Sequence, residues 1–261
     1  MLKQRVITSV IALVAIGVVL FVLPGNYAEL IIGLLLVAGA WEWSGFLNVS
    51  GIALRWLYTA IVSACLAAVY FAAPECTGTI LQVAFVWWFV AFIWTLFYPT
   101  KIPVPVRWIC GFLVLVPLFA ALVLLYRLGV EYLLFTLMIV WAADAGAYFA
   151  GKAFGRVKLA PAISPGKTWE GVIGGLVLVG ALAIGVGIWR NLNIAVFLPF
   201  VLAVAALSVV GDLTVSMFKR TAGVKDSGTL FPGHGGVLDR IDSVAAAAPL
   251  FALGLGWLGL V

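Results

Sequence analysis

Residues 171–189, GVIGGLVLVGALAIGVGIW, and residues 194–210, IAVFLPFVLAVAALSVV, contain no charged side chain and are joined only by Arg190-Asn191-Leu192-Asn193. At a helical rise of 1.5 Å per residue, about 20 apolar residues cross the roughly 30 Å hydrocarbon core of a bilayer. Both runs are of that order, and four residues between them leave room only for a tight turn. The pair reads as a transmembrane helical hairpin. Outward from it, further apolar runs lie at about residues 6–23, 27–47, 53–73, 79–98, 108–126, 130–150 and 244–260. The predicted fold is all-α, a polytopic membrane helix bundle of about nine transmembrane helices.

Composition agrees. Hydrophobic residues make up 65% of the 261 and charged residues 10%, with a mean hydropathy of +1.23, whereas soluble domains carry about 25% charged residues. Residues 1–261 read as a single integral membrane domain with no extramembrane domain. If the amino terminus is cytoplasmic, the inner segments hold Lys3, Arg5, Arg55, Lys101, Arg107, Lys152, Arg156, Lys158, Lys167, Lys219, Arg220, Lys225 and Arg240. The outer segments hold only Arg127 and Arg190. This positive-inside asymmetry places the amino terminus in the cytoplasm and, with nine spans, the carboxyl terminus outside. The net charge of +5 is thereby assigned to topology and anionic lipid, and nucleic acid is not an expected partner.

The first run has the basic start of a signal peptide. Val22-Leu23-Pro24-Gly25-Asn26 offers no small-x-small cleavage site, so it is read as a retained anchor. Cys65, Cys76 and Cys110 lack metal-ligand spacing and support neither a disulfide framework nor a zinc site. Trp43, Trp56, Trp108, Trp169, Trp189 and Trp257 fall near span ends as interfacial anchors do, and Trp87, Trp88 and Trp141 read as packing residues.

The exception to this apolar character is the stretch from Gly211 to Asp242. Its 32 residues hold Asp212, Lys219, Arg220, Lys225, Asp226, Asp239, Arg240 and Asp242, together with Ser216 and His234, the chain's one histidine. Among them lie Gly223, Gly228 and the run Gly233-His234-Gly235-Gly236, where a backbone can turn sharply and approach a ligand. Acids and bases around a glycine-rich turn suit a site that holds a cation and a polyanion together. If the eighth helix continues two turns past Asp212, then Asp212, Ser216, Lys219 and Arg220 share a face at i, i+4, i+7 and i+8. Asp239 and Asp242, at i and i+3, align if the ninth helix has begun. Oxygen ligands from two or three aspartates suit Mg²⁺, and neighbouring lysines and arginines suit phosphate oxygens.

The topology puts a second polar loop, residues 151–170, on the same side. It carries Ser164-Pro165-Gly166-Lys167-Thr168-Trp169-Glu170. Ser164, Lys167 and Thr168 at the start of the seventh helix suit a nucleotide-phosphate grip, since free N–H groups there favour anions. Asp144 lies inside the sixth span among small residues, where a carboxylate is costly unless it faces the bundle interior.

At these residues a resemblance becomes specific. Ser216-Met217-Phe218-Lys219-Arg220, then Lys225-Asp226-Ser227-Gly228, then Pro232-Gly233-His234-Gly235-Gly236-Val237-Leu238-Asp239-Arg240-Ile241-Asp242 resembles the signature of the phosphatidate cytidylyltransferases, or CDP-diacylglycerol synthases. Asp144-Ala145-Gly146-Ala147-Tyr148 and Ser164 to Gly171 are also similar to family segments. The resemblance covers residues 141–245, which are expected to carry the catalytic motifs on cytoplasmic helix ends and loops. Residues 1–140 are expected to anchor.

The resemblance implies transfer of a cytidylyl group from CTP to phosphatidic acid, giving CDP-diacylglycerol and pyrophosphate at the inner membrane of a bacterial-type cell. It implies Mg²⁺ on Asp212 and Asp239 with Asp242 assisting, and allows a second, monovalent cation and a homodimer, for which the sequence carries no signal of its own. Asp212, Lys219, Arg220, Lys225, Asp226, His234, Asp239 and Asp242 are expected in catalysis. Asp144, Ser164, Lys167, Thr168, Ser216, Gly235, Gly236 and Arg240 are expected in substrate binding.

Plainer roles compete at each position. The aspartates could form salt bridges with Lys219, Arg220 or Arg240, the cations could be inside-positive anchors, His234 could cap a turn, and Ser164, Lys167 and Thr168 could be a helix cap with a snorkelling lysine. Glu29 and Glu42 in the second span match no motif and are expected to be structural or interfacial. A transporter is the alternative of another class, but such proteins place their substrate site near the bilayer midplane. A CTP-dependent lipid kinase is the closest chemical rival, and it would release CDP in place of pyrophosphate.

Overall fold

Nine α-helices follow one another among the described residues of the computed structural model, which are 2–48, 51–72, 74–230 and 235–259. They are α1 (Leu2–Phe21), α2 (Gly25–Ser44), α3 (Ile52–Ala72), α4 (Pro74–Leu96), α5 (Val104–Leu128), α6 (Val130–Phe154), α7 (Trp169–Trp189), α8 (Ile194–Thr221) and α9 (Leu238–Trp257). A 3₁₀ turn, Gly45–Leu47, ends α2. Each helix lies on one of the nine apolar runs. Among the described residues seven of them, α2 to α8, are long and apolar enough to cross a membrane. α9 is less apolar because it opens with Asp239, Arg240 and Asp242. Two short strands, β1 (Lys158–Ala160) and β2 (Ser164–Thr168), add an antiparallel hairpin that the all-α expectation does not include.

Local sequence sets the helix boundaries. Pro24 and Pro103 precede α2 and α5, where a missing N–H costs nothing. Asn193 Oδ1 accepts from Ala195 N at 3.1 Å to cap α8. Thr168 Oγ1 accepts from Gly171 N at 3.2 Å to cap α7. α6 runs past the anticipated end at residue 150 to Phe154, so Asp144 is farther from its helix end than the span boundary implied.

α9 is the axis of the bundle. Its residues from Asp242 to Leu255 are buried, and it packs against α4, α5, α6 and α8. The run Ala245-Ala246-Ala247-Ala248 lets those neighbours come close. The core also holds Trp43, Trp88, Tyr58, Phe46 and Phe218, while Phe21, Val86, Phe89 and Trp189 lie exposed on outer faces as a lipid contact requires. Trp43 is therefore a core residue and not the anchor expected, and Trp141, expected to pack inside, is exposed.

Gly211 sets the spacing of α8 and α9. A Cβ there would run into the Asp242 carbonyl oxygen and stand 3.0 Å from Ala246 Cβ. Gly211→Ala is expected to destabilise the bundle by about 1–3 kcal/mol, because a backbone atom cannot move aside as a side chain can. Thermal unfolding in mild detergent checks this, and an unchanged midpoint would show that the two helices part freely.

Ion pairs sort to the two ends of the bundle. Arg127 grips Glu29 through two bonds of 2.7 and 3.0 Å, and Arg190 lies 3.8 Å from Glu131, all at the end formed by the α1–α2, α5–α6 and α7–α8 turns. The other charged contacts gather at the opposite end, where α6 meets α7 and α8 meets α9.

Candidate active site

α8 continues as a helix to Thr221, so Asp212, Ser216 and Lys219 share the face that their spacing predicts. Ser216 Oγ donates to Asp212 Oδ1 at 3.1 Å, one turn away. Asp212 Oδ2 takes Lys167 Nζ at 2.6 Å, which ties β2 to α8. One turn on, Lys219 Nζ crosses to α9, 2.7 Å from Asp239 Oδ1 and 3.9 Å from Asp242 Oδ2. These three side chains are almost withdrawn from solvent, with Lys219 and Asp239 at 8% and 7% exposure. A single ammonium thus bridges two carboxylates that helical spacing placed on one face.

Asp239 is held from several sides. Its Oδ2 accepts from Gly236 N at 2.9 Å, Ser227 N at 2.9 Å and Ser227 Oγ at 3.0 Å. Gly235 has φ of +81°, which turns the backbone so that Gly236 N meets the carboxylate. A Cβ on Gly235 would stand 2.5 Å from Asp239 Oδ2, so that turn excludes any side chain. Asp242 Oδ1 accepts from Ser243 N at 2.9 Å.

A cavity of about 380 Å³ opens beside this cluster between α6, α7 and α8. Asp144, Lys167, Thr168 and Gly166 line it, together with Tyr148 and Lys152. Asp144 lies within electrostatic range of Asp212, Lys167 and Arg240, so the cavity and the Asp212 cluster form one field.

Other anticipated residues stand apart. Arg220 is exposed and donates from Nε to Ile163 O at 3.1 Å, fastening the β1–β2 turn to α8. The side chains of Lys225, Asp226 and Arg240 are exposed and make no ion pair or hydrogen bond among the described residues. Ser164 begins β2 and does not line the cavity. Thr168 is the cap of α7 and a cavity residue at once. His234 lies outside the described residues.

Residues 3–257 match the cytidylyltransferase family. The chain belongs to this family. It is 44% identical to the phosphatidate cytidylyltransferase of Pseudomonas aeruginosa over an alignment of 270 residues, covering 98% of this chain and 99% of that one. With the phosphatidate cytidylyltransferase of Haemophilus influenzae it shares 40% over 290 residues, covering 97% and 98%. A Staphylococcus aureus phosphatidate cytidylyltransferase is 48% identical over 124 residues, or 47% of this chain and 48% of that one.

Within this cytidylyltransferase the carboxylates are hard oxygen donors of the kind Mg²⁺ takes. Among the described residues no three acidic, histidine or cysteine side chains converge as a ready cage. Lysine ammonium groups stand on Asp212 and Asp239 instead. The donor set fits a magnesium ion in kind, with few protein ligands and the remainder from water and phosphate, which is how Mg²⁺ is commonly bound beside nucleotides.

Sequence reasoning left four residues without a part in the site. Ser227, though within the quoted motif, was given no task, and it donates to Asp239. Tyr148 and Lys152 line the cavity one and two turns after Asp144, a spacing that could have found them. Glu42 accepts hydrogen bonds from Val237, Leu238 and Ser227. Its only signal was an ionisable side chain inside an apolar span.

Proposed function

We infer that this chain transfers the cytidylyl group of CTP to phosphatidic acid, giving CDP-diacylglycerol and pyrophosphate, at the cytoplasmic face of a bacterial-type inner membrane. The observation that carries this reading is the cluster of lysine–carboxylate pairs at one end of the bundle, next to a cavity that Lys167 lines. A phosphate oxygen of the lipid forms the new bond to the α-phosphorus of CTP. The bond from that phosphorus to the bridging oxygen breaks, and pyrophosphate leaves with the electron pair. The lipid phosphate is already an anion near neutral pH, so no strong base is needed. Repulsion between two polyanions is the larger barrier, and fixed cations lower it.

Lys167 and Lys219 are the fixed cations at the cluster, and they are the groups to hold phosphate oxygens in line. Asp212 and Asp239, with Asp242 beside them, are the residues to hold Mg²⁺, which supplies charge neutralisation on the transferring group. A monovalent cation beside it belongs to the same proposal. The clustering of charge at the bundle end favours an interfacial enzyme over a transporter with a midplane site.

The test is incubation of the purified protein with phosphatidic acid, Mg²⁺ and CTP labelled on the α-phosphate. Label entering the lipid with equimolar pyrophosphate, lost when Mg²⁺ is chelated, is the expected result. Release of CDP would instead identify a lipid kinase. Reporters fused to the carboxyl terminus check the orientation, with an outside location expected. A cytoplasmic one would sink the nine-span arrangement.

A further inference from the structure

The capping position before α9 is Val237, whose apolar side chain cannot cap the free N–H groups of a helix start, and none of the helix's own side chains does so. The cap comes instead from α2. Glu42 Oε1 accepts from Val237 N and Oε2 from Leu238 N, both at 2.9 Å, nearly 200 residues away along the chain. Oε2 also accepts from Ser227 Oγ at 2.8 Å. Glu42 is buried, and among the described residues no lysine or arginine pairs with it. Its charge is met by a helix amino terminus and a hydroxyl, unlike that of Glu29, which Arg127 neutralises.

The backbone around it is shaped to admit this carboxylate. A Cβ on Gly228 would stand 2.5 Å from Glu42 Oε1, and one on Gly236 would meet both Glu42 oxygens. Ser227 has one hydroxyl proton and two carboxylates in reach, Glu42 at 2.8 Å and Asp239 at 3.0 Å. Gly236 and Ser227 are the same residues whose N–H groups hold Asp239 Oδ2. Every group that aims Asp239 from the loop side is therefore adjacent to, or bonded by, Glu42.

We propose that Glu42 is a positioning residue for Asp239, clamping the start of α9 and the Ser227 loop so that the carboxylate points into the site. The proposal rests on the reading of Asp239 as a functional carboxylate. Glu42→Gln places an amide NH₂ where N–H and O–H donors already point, so one of them loses its acceptor. Outer partners of a metal-holding carboxylate typically change metal affinity or activity by about 10–100-fold.

The experiment compares the full-length wild type with Glu42→Gln, Ser227→Ala, Glu29→Gln and Asp239→Asn in detergent. It reads thermal unfolding, Mn²⁺ binding by electron paramagnetic resonance with CTP present, and kcat and KM separately. Glu42→Gln is expected to weaken Mn²⁺ binding and lower kcat by about 10–100-fold each. Glu29→Gln is expected to lower the unfolding midpoint without moving Mn²⁺ affinity. Wild-type Mn²⁺ binding and kcat in a folded Glu42→Gln, or equal losses in Glu29→Gln, would overturn the proposal. If Glu42→Gln does not fold, Ser227→Ala carries the test in the same direction, and its wild-type behaviour overturns the proposal. A fully active Asp239→Asn refutes the site reading itself, whereas an inactive one beside a wild-type Glu42→Gln refutes only the role of Glu42.

Discussion

Asp239→Asn is expected to lose cytidylyl transfer by on the order of 10²–10³-fold, the scale of removing one preorganised electrostatic group from a reaction centre. Asp239 is the most densely held carboxylate of the site, with Lys219 on one oxygen and Gly236 N, Ser227 N and Ser227 Oγ on the other. Every one of these partners is a donor. An asparagine of the same shape presents its NH₂ to one set of donors and carries no charge, so both the aim and the affinity for a cation fall together. Transfer of α-label from CTP to lipid measures this directly, and a variant as active as the wild type removes Asp239 from the chemistry.

Lys219→Met is expected to have the largest effect on stability, about 3–5 kcal/mol, the scale of breaking a buried ion pair by deleting one partner. Lys219 lies between Asp239 and Asp242, and its loss leaves two buried carboxylates without their counter-charge. Adding Asp239→Asn to Lys219→Met is expected to recover part of that stability while activity stays lost, because one uncompensated charge goes with it. Thermal unfolding of the four proteins in the cycle provides the check. A Lys219→Met protein that melts with the wild type would mean the aspartates find other partners.

Much of the bundle was legible in the chain. Nine apolar runs became nine helices, seven of them among the described residues long and apolar enough to cross a membrane, because a bilayer core demands about 20 apolar residues per span and run length is visible in a linear sequence. The shared face of Asp212, Ser216 and Lys219 and the alignment of Asp239 with Asp242 followed from helical period alone. Arg220 shows where period stops being enough. It lies next to Lys219 in the chain, but at the helix end its side chain has a free choice of direction, and the carbonyl of Ile163 in the hairpin claims it. The hairpin was hidden because strands of three and five residues carry too little pattern to separate from a loop.

The sequence alone determined the class of molecule, its family resemblance and which two segments carry its charge, since composition, run length and helical period are properties of the chain read in order. Only the tertiary structure decided which charges meet. Lys167 reaches Asp212, Lys219 reaches Asp239, and Glu42 crosses from α2 to cap α9. Such pairings depend on how close helices come and in which rotation, and Gly211 and the alanines of α9 set that distance by what they lack. A residue's partner across the bundle is fixed by packing in three dimensions, which no local pattern encodes.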